Sequence, residues 1–79
     1  MVNRLVMYAK IVKDNLVKEG CEFIMQKVDT VSGSIIIQFH RNNLPENIFG
    51  KAVEPLKCVH RIELGKDIVK ILLQLYTKD

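Results

Sequence analysis

Each of the two histidines in this 79-residue chain is followed by an arginine, His40-Arg41 and His60-Arg61. An imidazole titrates near neutrality and can move a proton, and a guanidinium beside it can stabilise a phosphorane, so a small metal-independent nuclease would need such groups. The flanking residues separate the pair. His40 shares an outward parity with Gln38, whereas His60 lies between Cys58 and Ile62 on a core-facing parity, which predicts imidazoles on opposite sides of a sheet. The expectation is a hydrogen-bonded core His60, a solvated His40 and no enzyme activity.

Cys58 and His60, two residues apart, point the same way and could share a zinc ion, but a closed site takes four ligands and only Cys21 remains on that face. No metal is expected within one chain. The two cysteines lack a CxxC spacing and are too few for a disulfide scaffold, so free buried thiols are expected, with a Cys21–Cys58 bridge as the alternative. Gly20, Gly33, Gly50 and Gly65 lie too far apart for a phosphate-binding loop, and no acids are paired at catalytic spacing. No cofactor is expected.

The elements that would position these groups start from a hairpin between Cys21 and Arg41. Phe23 and Met25 alternate with Glu22, Ile24 and Gln26, and Ile35, Ile37 and Phe39 alternate with Ile36, Gln38 and His40, the period of two of half-buried strands. The predicted core face is Cys21, Phe23, Met25, Ile35, Ile37 and Phe39. Asp29 to Gly33 forms the loop, with a carboxylate able to bond its backbone and a glycine able to take positive φ.

Before the hairpin, Leu5, Ala9, Val12 and Leu16 space a helix over Val2 to Glu19, ended by Gly20, with Lys18 suiting the dipole of its last turn. After it, Asn42 to Pro55 is a loop in which Pro45 to Val53 can form helical turns with Ile48, Phe49 and Ala52 inward, Asn43 as a cap and Pro55 as a stop. A third strand follows, with Leu56, Cys58, His60, Ile62 and Leu64 inward and Lys57, Val59, Arg61 and Glu63 outward.

Asp67 to Tyr76 has two readings. Val69, Ile71, Leu73 and Leu75 make a strand face, and Gly65-Lys66 could form a type II′ turn before it. Asp67 as an N-cap, the leucine content and a contiguous polar arc of Lys70, Gln74 and Thr77 favour a helix, which is the expectation. The whole chain is then one small α+β domain over residues 1–79, of N-terminal helix, β-hairpin, short helical loop, third antiparallel strand and C-terminal helix, with a fourth strand as the alternative ending. This element order is similar to that of double-stranded-RNA-binding domains and of the small toxin ribonucleases built on the same plan, without their glycine-histidine segment or basic helix N-terminus.

Twelve Lys and Arg against nine Asp and Glu give a net charge of +3, spread along the chain. That balance permits phosphate binding without demanding it. Hydrophobic content of 48% with 27% charged residues is that of a folding domain rather than a disordered segment. No apolar run reaches the length of a membrane span, and Leu5 to Ala9 is too short for a secretory signal, so a cytoplasmic location with no membrane partner is expected.

With no motif for chemistry, the expected role is a binding or regulatory module acting through protein–protein contacts, as a homodimer. The candidate interface residues are Met7 and Ile11, which project from the helix side opposite the core stripe, and Ile24, Ile36 and Val59 on the outer sheet face. The alternative is a nucleic-acid-binding regulator with Arg41, Lys57, Arg61, Lys66 and Lys70 on phosphates. The outer sheet face carries no aromatic for base stacking, which disfavours single-stranded RNA.

Overall fold

The computed structural model describes residues 3–56 and 58–74, without the side chains of Asn3 and Val59. It contains α1 (Asn3–Lys18), β1 (Glu22–Asp29), β2 (Ser34–His40), α2 (Asn47–Val53), β3 (Val59–Leu64) and β4 (Ile68–Gln74). The four strands form one antiparallel sheet in the order β1-β2-β4-β3.

Leu5, Ala9, Val12 and Leu16 are fully buried, so the predicted helix stripe is the packed one. Its end is a Schellman motif. The Cys21 N–H donates to the Leu16 carbonyl at 2.9 Å and the Gly20 N–H to Val17 at 3.0 Å, with Gly20 at φ +103°. Buried Leu16 and Cys21 add the apolar contact that accompanies this motif, and the chain turns directly into β1.

The hairpin forms as expected, with a departure inside β1. Phe23 pairs with Phe39, but Met25 pairs with Gln38, so Ile24 is an inserted β-bulge residue. From there the parity reverses. Gln26 and Val28 fall opposite Ile37 and Ile35 on the helix side, and Met25 and Lys27 fall opposite Gln38 and Ile36 on the outer side. Met25 is therefore a surface residue, 41% exposed, and not part of the core face that simple alternation assigned to it. The hairpin loop is closed by Asp29, whose Oδ1 accepts the N–H groups of Val31 and Ser32 at 3.0 and 3.2 Å.

The C-terminal helix expected from Asp67 is instead strand β4, the alternative ending; Leu75 and Tyr76 lie outside the described residues. Val69, Ile71 and Leu73 pair with Phe39, Ile37 and Ile35, and all six are fully buried. Burying three such side chains is worth roughly 1.5–3 kcal/mol each, more than the few tenths per residue by which leucine prefers a helix. Gly65 closes the turn by donating its N–H to the Ile68 carbonyl at 2.9 Å, which leaves Lys66 and Asp67, not Gly65 and Lys66, at the centre. A Cβ on Gly65 would lie 2.7 Å from that carbonyl oxygen, so the approach requires glycine.

β4 slots between β2 and β3, which are therefore parallel to each other and joined through α2. In α2, Phe49 and Ala52 are buried as predicted, Ile48 is only half-buried and Val53 is buried in addition, but Asn43 does not cap the helix; the residue before it is Glu46, with no side-chain cap bond. Asn42 and Asn43, at φ +53° and +60°, form a turn closed by the Leu44 N–H on the Arg41 carbonyl, which has the φ signature of type I′. The third strand begins at Val59 rather than Leu56. With β4 in place, the helix-strand-strand-strand-helix order shared with double-stranded-RNA-binding domains is not the order of this chain.

Both helices cover one face of the sheet, and the core lies between them and the inward side chains of β2 and β4. Among the described residues, no helix is long and apolar enough to cross a membrane.

Candidate interaction surface

The second face of the sheet is covered by no described element. Its residues follow from the register in rows across the strands: Lys27, Ile36, Leu72 and Arg61 form one row, and Met25, Gln38, Lys70 and Glu63 the next. Glu22, His40 and Ile68 form a third at the sheet end. Ile36 and Leu72 are direct neighbours, half-buried at the centre, with Met25 and Ile68 exposed beside them. Cations stand around this apolar spine. Arg61 holds Glu63 at 3.7 Å on the exposed rim, a pair of little energetic weight, whereas Lys27 and Lys70 make no ion pair among the described residues.

The interface residues expected from sequence divide between two sides of the molecule. Ile36 belongs to this outer face; Ile24 is the inserted bulge residue, with no partner in the register, and Val59 heads β3, its side chain outside the described residues. Met7 and Ile11, 58% and 39% exposed, sit on α1 across the molecule and cannot share one contact with them. Met25, Lys27, Ile68 and Leu72 are on the outer face and were missing from that set. Met25 and Lys27 reach it only through the bulge, which leaves no mark on the hydrophobic pattern; Leu72 follows once the last segment is a strand.

The candidate phosphate contacts are also dispersed. Arg61 and Lys70 lie on the outer face, Lys57 lies outside the described residues, and Lys66 is in the β3–β4 turn. Arg41 is a clamp: its Nε donates to the Leu44 carbonyl and its Nη1 to the Gly65 carbonyl, each at 3.2 Å, while its backbone N–H donates to Asp67 at 2.8 Å. Its guanidinium thus ties the loop after β2 to the β3–β4 turn.

The histidines stay apart as expected. His40 pairs with Ile68 on the outer face, and His60 pairs with Leu73 on the helix side. Contrary to expectation, His60 is exposed rather than in the core, because it lies on an edge strand beside Asn47 and Lys51 of α2 and Glu54 just after it. Cys21 and Cys58 are free, buried thiols. They flank opposite edge strands at opposite ends of the sheet, a separation of roughly 25–30 Å, far beyond disulfide reach. Burial raises the pKa of both, with Glu19 adding to the effect at Cys21. Among the described residues, no group of three or more His, Cys, Asp or Glu could hold a metal ion.

No protein-family model, curated protein or solved structure matches the chain.

Proposed function

We propose that this chain is a non-enzymatic binding module that works through protein–protein contacts on the open face of its sheet. The observation that carries this reading is the Ile36–Leu72 pair at the centre of an uncovered face, extended by Met25 and Ile68 and bordered by Lys27, Lys70, Arg61 and Glu63. An apolar centre within a polar border is the anatomy of a protein interface. Three cations against one acid in the two central rows favour a partner whose own rim is acidic.

Nucleic-acid binding is the weaker reading. Arg41 directs its guanidinium to two backbone carbonyls, and the described residues of the face include no aromatic side chain on which bases could stack. The experiment that tests the proposal is recovery of complexes formed in the cells of origin, at low and high salt, by the wild type, by Ile36→Ser with Leu72→Ser, and by Met7→Ser with Ile11→Ser. A protein retained at high salt and lost only with the sheet-face pair supports the reading. Loss with the helix pair alone, or recovery of nucleic acid that falls away with salt, overturns it.

A further inference from the structure

We infer that two copies of the chain join along β1, in antiparallel register centred on Val28, to make one continuous eight-stranded sheet. This goes beyond the open-face reading: the joint uses the sheet edge, takes in Met25 and Lys27 at the border of that face, and leaves its centre at Ile36 and Leu72 free.

β1 is an edge strand whose second half is exposed on both sides: Met25 outward, and Val28 toward the helix side at 39% exposure. The hairpin loop fixes the direction of its backbone groups. Asp29 turns its carbonyl inward to accept the Gly33 N–H at 2.9 Å. Backbone groups alternate along a strand, so Val28 and Gln26 direct their N–H and C=O groups to the open edge.

A two-fold axis perpendicular to the sheet must pair residues of the same parity, which leaves few registers for the regular stretch after the bulge. Centred on Lys27, it sets Lys27 against its own copy. Centred on Gln26, it sets Met25 against Lys27 and brings the bulge into the seam. Centred on Val28, it sets Lys27 of each copy against Asp29 of the other, twice, and pairs Val28 with itself through the outward N–H and C=O groups.

The same register brings Met25 of each copy beside the other's hairpin loop, where Val31 is 96% exposed. Lys27 is without an ion pair among the described residues, and the backbone N–H groups of Val31 and Ser32 both take Oδ1 of Asp29. The other edge is less suited. β3 is shorter, and its Arg61 and Glu63 already pair with each other. Exposed edges are ordinarily blunted to prevent such pairing; here the bulge and Lys27 restrict it to one register.

The test is the solution mass of the full chain by sedimentation equilibrium, with variants at the centre of the seam. The wild type is expected at twice 9.1 kDa. Val28→Pro removes an N–H that β2 does not use, so the variant is expected to keep its circular dichroism and sediment as a monomer. Val28→Cys is expected to cross-link two chains on mild oxidation, since facing Cα atoms in such a pair lie about 5.5 Å apart, within disulfide range. A monomeric wild type at high concentration, a dimer that persists in Val28→Pro, or cross-linking at Ile62→Cys with none at Val28→Cys overturns the inference.

Discussion

Met25 pairs with Gln38, although two positions earlier Phe23 pairs with Phe39. The residue between, Ile24, is the whole difference between a sheet whose β1 buries its methionine and one that presents it. Phe23 remains inward, edge-to-face with Phe39 at 5.9 Å between ring centroids and capped by the Lys13 ammonium at 4.3 Å. The bulge thus divides β1 into an anchored first half and an exposed second half.

That division predicts unequal costs for two substitutions that alternation would rank alike. Phe23→Ala should lower stability by about 3 kcal/mol, and Met25→Lys by no more than about 0.5 kcal/mol. Urea denaturation of the two variants checks this; a large loss from Met25→Lys would place that side chain back in the core.

Gly20→Ala should cost at least about 1 kcal/mol, because φ +103° disfavours a side chain even though space around the position is open. Its effect should appear as a lower thermal midpoint with the folded spectrum unchanged.

Asp29 supplies a pH dependence. The backbone N–H and hydroxyl of Ser32, then the N–H of Val31, hold its carboxylate below the ordinary aspartate range. A depressed folded pKa gives stability that is fully present above the unfolded value, near about 3.9, and lost as pH falls through the folded one. The difference in urea midpoint between wild type and Asp29→Asn should therefore hold steady from neutral pH down to about 5 and shrink at lower pH.

The thiols should be quiet in the native state. Burial and raised pKa values predict slow reaction of Cys21 and Cys58 with a disulfide reagent at neutral pH and fast reaction in denaturant. Oxidation of the monomer should yield no intramolecular bridge, as mass spectrometry under non-reducing conditions would show.

Much of the architecture is legible in local pattern. The spacing of Leu5, Ala9, Val12 and Leu16 and the glycine after them define α1, and alternation defines β2. The bulge is not legible, since Ile24 and Met25 are both apolar and an insertion changes register without changing composition. The last segment is ambiguous because Ile68 to Gln74 satisfies two periods. It is resolved by a tertiary fact: Phe39, Ile37 and Ile35 need partners across the sheet, and Val69, Ile71 and Leu73 match them one for one. His60 has the inward parity read from its neighbours, yet parity at an edge strand does not guarantee cover. Ile36 was legible as a surface aliphatic, while its neighbour Leu72 depended on the strand assignment.

Docking of a protein partner on the open sheet face is tested by a photo-reactive side chain placed in living cells at Leu72, with Ile11 on α1 as the comparison. A discrete protein adduct from position 72 and none from position 11 is the predicted result. Adducts from position 11 alone, or nucleic acid captured at position 72, would contradict it.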